Sequence, residues 1–372
     1  MRLRHKIDKS HEDPRIRTSP HIVIYFQDGK PLLENYITRQ TFRGTADTLL
    51  LLAYFSSWLT ISQALKTLNH YTYESVVGSV RDLLRHGLLI AEDSEEDILS
   101  RKLANRWLWP NASRYYHFAT KLDEPFSTPT EIKRFYDSYL KGKPQPPIYK
   151  TYAKTPKIRL PPGIGTEAPL FETMRRRRTT RIFSGDPISL GQLSRIIYYT
   201  WGGLSTYETK EFGRLLHKAS PSAGARHPIE AYAVVNNVRG IDPGIYHYAV
   251  RDHSLELLKS GDFREKCVNF AAGQAWAENA SVFLIMTAVV ARTAWKYRIS
   301  RVYRAFLLDI GHLSQTFLLV STALGLGAFC IGIISDSTIE RELEIDGVNE
   351  VALFAVGVGQ PAETQIKENT SD

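Results

Sequence analysis

The chain has 372 residues, of which 43% are hydrophobic and 23% charged, with a net charge of +8 at pH 7. That is a globular composition, long enough for one large or two ordinary cores. Its two cysteines, Cys267 and Cys330, supply neither a disulfide framework nor metal-ligand spacing, and its excess of base suits phosphate-bearing cofactors, acidic peptides or nucleic acid alike.

Residues 1–20 are polar, lack an apolar signal core and are expected to be a disordered tail. Apolar runs elsewhere are broken before membrane-spanning length, so a soluble, cytoplasmic chain that binds no membrane is expected. The next segment, 21–95, forms a small domain. His21 to Phe26 is a strand, Asp28-Gly29 a turn, and Leu32 to Ile37 can pair back as a hairpin. Helices follow at 45–57, at 60–68 with Thr60 as N-cap, and at 73–85, where Val76, Val77, Val80, Leu83 and Leu84 repeat with helical period. Gly87 ends the third helix and Leu88-Leu89-Ile90 opens a strand, which completes a winged-helix order. Three uses stay open for such a module: peptide binding, a purely structural wing, or DNA binding. Arg81 and Arg85 of the third helix are balanced by Glu74 and Asp82, thin for tracking phosphates, so no nucleic-acid partner is expected. The segment resembles the PqqD-like peptide-recognition modules of ribosomal-peptide-modifying systems. That resemblance implies a leader peptide added as a strand beside the sheet, with the third helix closing the groove.

Residues 96–162 are expected to connect two domains. Trp107, Trp109, Tyr115, Tyr116 and Phe118 give an aromatic density typical of packing. Pro144, Pro146, Pro147, Pro156, Pro161 and Pro162 make a semi-rigid linker or a wrap-around arm.

The second domain is placed at 163–362, with a tail at 363–372. Leu170 to Phe183 reads LFETMRRRRTTRIF. At helical spacing Arg177 and Arg181 are neighbours, and with Thr179 they could clamp a phosphate; a solvated basic face is the plain alternative. The run RRRTTRIFSGDPISLGQLSRIIYYTWGG resembles the opening motif of the nitroreductase superfamily, with Thr179 where serine is usual. It is most similar to the SagB-type branch, FMN-dependent azoline oxidases of thiazole/oxazole-modified peptides. The resemblance implies that Arg177, Arg178, Thr179 and Arg181 hold the FMN phosphate and ribityl chain. The loop 219–228 (ASPSAGARHP) precedes an apolar strand, and its small residues let backbone N–H groups approach a flat ring. By the same resemblance Pro221, Ser222, Gly224 and Ala225 lie against the isoalloxazine; His227 is left without a role.

Residues 244–258 form a hairpin and 280–290 a long apolar strand. This strand delivers the chain to 294–327, read as one long buried helix with Lys296 and Tyr297 at its head and Gly325 and Gly327 at its end. His312 on it is expected to be buried and hydrogen-bonded. Strands follow at 328–334 and 351–358. Within the first, Ile331 and Gly332 are placed by the resemblance against the flavin ring. Gln360 stands where many relatives carry a basic residue, leaving the phosphate to Arg177 and Arg181.

The fold implied is α+β: a nitroreductase-like FMN domain, its antiparallel-rich sheet flanked by helices around a long central helix, preceded by a small winged-helix domain. Lys296 and Tyr297 match the Lys-Tyr pair of SagB-type oxidases. The resemblance implies dehydrogenation of a thiazoline or oxazoline in a precursor peptide, Lys296 and Tyr297 removing the α proton and FMN taking the hydride. It also implies a homodimer, which the apolar 305–324 stretch could seam, and a cyclodehydratase partner. Both side chains are poor bases at their ordinary pKa; burial of the lysine, or Arg292, Arg298 and Arg301 nearby, would favour the deprotonated forms. Adjacent helical residues point about 100° apart, so the pair converges only at an irregular start or around a substrate. The other readings are an NAD(P)H-dependent nitroreductase or quinone reductase, and a non-catalytic peptide-binding scaffold. No metal is expected.

Overall fold

A computed structural model gives the fold, describing residues 13–68, 71–107, 110–121, 134, 137–163 and 167–363. Parts of the readings above lie outside the described residues: 1–12 of the N-terminal tail, 108–109, 122–133 and 135–136 of the connecting segment, and 364–372. The chain divides into two compact units, 1–125 and 126–372.

In the first unit, β1 (Ile16–Thr18) pairs antiparallel with β5 (Leu89–Ala91). The strands β2 (Ile22–Gln27), β3 (Lys30–Asn35) and β4 (Gln40–Arg43) form an antiparallel sheet in that order. The tail reading is therefore corrected within 13–20: Ile16 is fully buried and its backbone is paired, because a single apolar residue flanked by cations is enough to seat a short strand. Helices α1 (Ala46–Tyr54), α2 (Ile61–Leu65) and α3 (Tyr73–Arg85) start at Thr45, Thr60 and Thr72, each accepting from the backbone N–H three residues on. Val76, Val80 and Leu83 of α3 turn one face into a core with Ile16, Leu33, Phe55 and Leu88. Arg85 is paired to Asp82 at 2.9 Å, which lowers the charge α3 could offer to phosphates. Residues 95–119 add α4 (Glu95–Arg106) and α5 (Asn111–Ala119). Asp97 of α4 is buried and bonds Arg17 at 3.1 Å.

The second unit is built on a seven-stranded antiparallel sheet. Its strands are β6 (Lys157–Arg159), β10 (Ile229–Val235), β12 (Gly244–Ala249), β13 (Ser254–Ser260), β14 (Val282–Val289), β15 (Gly327–Ile331) and β16 (Glu350–Gly359), in the order β15-β16-β14-β10-β12-β13-β6. Two short pairs lie outside it: β7 (Ile188–Ser189) with β11 (Val238–Arg239), and the hairpin β8 (Ser205–Thr209) with β9 (Gly213–His217), which the sequence reading did not foresee. The helices are α6 (Leu170–Arg176), α7 (Leu190–Trp201), α8 (Arg264–Phe270), α9 (Val290–Ala294), α10 (Tyr303–Ala323) and α11 (Asp336–Leu343).

Period-2 alternation sorts the sheet's two faces. Ile229, Ala231, Ala233 and Val235 of β10, with Val282, Leu284 and Met286 of β14, pack against α7 and α10. Tyr232, Val234, Phe283 and Ile285 pack the other way, against Cys267 and Phe270 of α8 and Ile339 and Leu343 of α11. This is the expected α+β arrangement of an antiparallel sheet flanked by helices.

The expected single helix from 294 is corrected. Helix α9 ends at Ala294, and a turn and a 3-10 segment (Ser300–Val302) intervene before α10 begins at Tyr303. Nor is α10 buried all round. Phe306, Ile310, Leu313, Phe317 and Leu318 enter the core, whereas Leu307 and Leu308 are exposed. His312 is likewise exposed, its Nδ1 lying 3.3 Å from the Pro221 carbonyl. Apolar residues on more than one face, Leu307 and Leu308 beside Phe306 and Ile310, hide which face packs.

Gly357 of β16 faces the fully buried ring of Phe329, itself packed edge-on against Trp276 at 4.6 Å. A Cβ at 357 would fall within that ring. Gly357→Ala is therefore expected to lower stability by about 1–3 kcal/mol in urea unfolding.

Candidate functional site

The centre of the site is Gly224. It lies in the loop between β9 and β10, where Gly224, Ala225 and His227 have φ of 61°, 53° and 44°. Such angles tolerate a β-carbon poorly, and Gly224 has a further reason to lack one. A Cβ there would stand 2.5 Å from Tyr297 Oη and 3.1 Å from Lys296 Nζ. Neighbours in sequence that would diverge on a regular helix thus converge on one glycine. The break between α9 and α10 makes this possible, placing both residues in a turn.

Lys296 Nζ sits 3.7 Å from the ring centroid of Phe212, between β8 and β9. Burial, with the charge of Arg226 added, pushes its pKa down to about 8. Burial pushes Tyr297 the other way, above its ordinary value, and Arg226 only partly opposes this. The cation that acts on both is therefore Arg226, not the expected Arg292, Arg298 or Arg301. Tyr297 stays a neutral hydroxyl, able to donate; Lys296 is the group that can become a base near neutral pH.

The loop is held from beneath by Asp309 of α10. Ser222 Oγ donates to Asp309 Oδ2 at 2.5 Å, and Ala223 N–H points to Oδ1 at 3.4 Å. Ser222 Oγ also accepts from His227 N–H at 2.9 Å. These bonds commit the Ser222 side chain to the loop itself. Arg226 Nε closes the loop on the Gly224 carbonyl at 3.0 Å. His227 Nε2 lies 3.0 Å from the Leu216 carbonyl, and burial, with Lys218 nearby, pushes its pKa down to about 3, so it remains neutral. Asp309→Ala would strip Ser222 of its acceptor. The expected cost is about 1–3 kcal/mol in thermal unfolding.

A second group lies along the sheet-edge strand β15. Thr179 bridges Ala328 in parallel, and Thr180 N–H donates to the Ala328 carbonyl at 2.9 Å. Gly327 permits this approach, since a Cβ there would meet Thr180 Cγ2 at 2.5 Å. The helical pairing of Arg177 with Arg181 is therefore corrected: α6 stops at Arg176, Arg177 is its C-cap, and the chain beyond runs against β15. Arg177 and Arg181 flank Thr179 in non-helical chain beyond that cap. The Arg181 guanidinium rests 5.3 Å from the Trp276 centroid. Arg178 Nη1 donates to the carbonyls of Arg175 and Arg177 at 2.8 and 3.0 Å, finishing the helix end. Ile331 turns its side chain into the core, whereas Gly332 is exposed. At the other end of the segment Ser184 N–H donates to the Gln360 carbonyl at 2.9 Å.

The structure thus brings Lys296, Tyr297 and Gly224 together, with Pro221, Ser222 and Ala225 in the same loop. Thr179 lies against Ala328 of β15, with Arg177 and Arg181 two residues to either side in the chain. Guanidinium and hydroxyl groups are the side-chain types that bind a phosphate. The Cβ-free, positive-φ loop suits the close approach of a flat ring. Sequence reasoning missed Asp309, Arg226 and Phe212. Asp309 did leave a signal, a lone acid among Leu307, Leu308 and Ile310. Among the described residues no cluster of His, Cys, Asp and Glu could hold a metal, and no helix is long and apolar enough to cross a membrane.

Comparison with known proteins agrees with this architecture. The family model described as Nitroreductase family matches residues 174–360. MJ1384 of Methanocaldococcus jannaschii, which carries a provisional nitroreductase name, is 31% identical over 197 residues, 53% of this chain and 93% of that protein. The trifolitoxin-processing protein TfxB of Rhizobium leguminosarum bv. trifolii is 27% identical over 309 residues, 78% of this chain and 82% of that one. The trifolitoxin operon protein TfxC of the same organism is 23% identical over 375 residues, covering 92% of this chain and all of its own.

Proposed function

The chain belongs to the nitroreductase family, and from that premise we propose that it is an FMN-dependent oxidase converting thiazoline or oxazoline rings of a ribosomally made peptide to thiazoles or oxazoles. The observation that carries this reading is the meeting of Lys296 Nζ and Tyr297 Oη at Gly224. A low-pKa amine beside a neutral hydroxyl is equipped to take a proton from carbon and to hold the ring that loses it.

When bound, FMN would supply the hydride acceptor that this chemistry needs. Arg177, Thr179 and Arg181 would hold its phosphate, and the Ser222–Ala225 loop would lie against its ring. Lys296, in its neutral form, takes the proton from the ring's α carbon. Tyr297 donates its hydroxyl hydrogen to a ring heteroatom or the neighbouring carbonyl and fixes the orientation. The half-buried turn and Phe212 keep water from Lys296, which maintains its low pKa.

The peptide substrate is favoured by the similarity to a trifolitoxin-processing protein and by the first unit. There the edge strand β2 exposes Ile24, Tyr25 and Phe26, the last at 68%. An edge unpaired among the described residues, with apolar side chains, suits an added peptide strand, as in a winged peptide-recognition module. A homodimer is favoured by the groove beside α10, about 410 Å³ in volume, where Leu307, Gly311 and Gln315 face Cys330 and Phe354. A cyclodehydratase would supply the azoline, acting in a cytoplasmic peptide-modifying assembly.

The test is a visible absorbance spectrum of the purified chain, then activity of Lys296→Ala. Bound FMN in both proteins, with oxidation confined to the native one, is expected. The competing NAD(P)H-dependent nitroreductase reading would be favoured by rapid nitroaromatic or quinone reduction that survives loss of Lys296 and Tyr297.

A further inference from the structure

The Pro-rich segment ahead of the second unit's sheet and the buried charges of that sheet meet at Arg292. This residue sits in α9, four positions before Lys296, and its side chain is 5% exposed. Its guanidinium reaches three separate stretches of chain. Nε donates to the Pro147 carbonyl at 3.0 Å; Nη1 donates to the His227 carbonyl at 3.1 Å and to Glu230 of β10. His227 closes the loop that contains Gly224.

Glu230 cannot swing away from this bond. Its other oxygen lies 2.8 Å from His247 Nε2, and His247 Nδ1 lies 2.9 Å from Glu256. Glu256 in turn accepts from Tyr152 N–H at 2.8 Å and pairs with Lys157 at 2.8 Å. The row runs Arg292, Glu230, His247, Glu256, Lys157, each bonded to the next. Burial opposes charge on Glu230, yet Arg292 and His247 bring its pKa down to about 2. Burial likewise opposes charge on His247, yet its two carboxylate partners hold it above the ordinary value. Glu230 is thus an ionised carboxylate held at both oxygens, a fixed base for the Arg292 fork.

The turn is fastened on its other side as well. Trp295 Nε1 donates to the Lys143 carbonyl at 3.1 Å, and the Arg226 guanidinium lies 5.4 Å from the Trp295 centroid. Gln145 Nε2 donates to the Arg214 carbonyl at 2.9 Å, in the hairpin next to Phe212. Residues 143–152 are thus a strap across the back of the site.

We propose that Arg292 is a positioning residue: its fork, anchored on Glu230, holds the Lys296–Tyr297 turn to the Gly224 loop and makes the Pro147 strap a structural part of the site. A guanidinium suits this task because its planar fork bonds several acceptors in fixed directions, whereas an ammonium is a point charge on a flexible stem. The proposal rests on the oxidase reading for its kinetic consequence but not for its geometric one.

Two variants of the full FMN-bound chain test it: Arg292→Lys, which keeps the charge, and the double variant Arg292→Gln/Glu230→Gln, which removes charge from both partners. The first readout is the pH dependence of Lys296 acylation by acetic anhydride, followed by peptide mass spectrometry. In the native chain the inflection is expected near the depressed value of about 8. In both variants it should move toward the ordinary lysine value of about 10.4, further in the double variant. The second readout is turnover of an azoline peptide, with kcat expected to fall roughly 10–100-fold at little changed KM. A folded variant with a native acylation profile and native kcat would overturn the proposal. So would collapse of both variants, which would make Arg292 a residue of the fold alone. If the native chain oxidises no azoline, the function reading fails while the acylation profile still decides the positioning claim.

Discussion

Replacing Lys296 by alanine is expected to lower azoline oxidation by roughly 10²–10⁴-fold, the usual contribution of a positioned general base, while FMN stays bound. The expectation rests on where the amine lies and on what surrounds it. Its Nζ meets the same glycine as Tyr297 Oη, and burial together with Arg226 holds its pKa near 8. A base must be neutral to accept a proton. With that pKa about a tenth of Lys296 is neutral at pH 7, so turnover should rise with pH through about 8 and level off above it. Arg226→Gln removes the cation that favours the neutral amine, and the rising limb should shift to higher pH. Stopped-flow turnover from pH 6 to 9.5 measures both. A flat profile in the native chain would remove Lys296 from the role of base.

Gly224→Ala should cost nearly as much, through geometry alone. The added carbon would sit 2.5 Å from Tyr297 Oη and 3.1 Å from Lys296 Nζ, at a φ of 61°. The left-handed backbone makes alanine unfavourable by roughly 1–2 kcal/mol. The clash must then push the tyrosine, the lysine or the loop aside. A misplacement near 1 Å is enough to lose roughly 10²-fold in rate. The variant should therefore stay folded in a thermal melt, yet turn over on the order of 100-fold more slowly. Native turnover by Gly224→Ala would show that convergence at this glycine does not matter for the reaction.

Much of the fold was legible because its signals are local. Thr60 marks the start of one helix of the first unit, and the apolar run at 280–290, bounded by polar residues, reads as a strand. The candidate site was legible in parts, through short runs: RRRTTRIF, SPSAGARHP and AWKY. What bridges those runs was not. Asp309 lies 87 residues beyond the Ser222 it holds, and Arg292 reaches Pro147 across 145 residues. No periodicity spans such separations. The break between Ala294 and Tyr303 was hidden for another reason: the segment carries no glycine or proline, so its composition favours a continuous helix. The Arg177 to Arg181 pairing failed because helical spacing was assumed past the true C-cap.

The central claim, that this chain removes hydride and proton from an azoline ring, is tested most directly by the mass of an azoline-bearing peptide after incubation with the FMN-bound chain in air. Loss of two hydrogens per ring, absent with Lys296→Ala, is the expected result. An unchanged peptide mass with fully flavin-loaded native protein would contradict it.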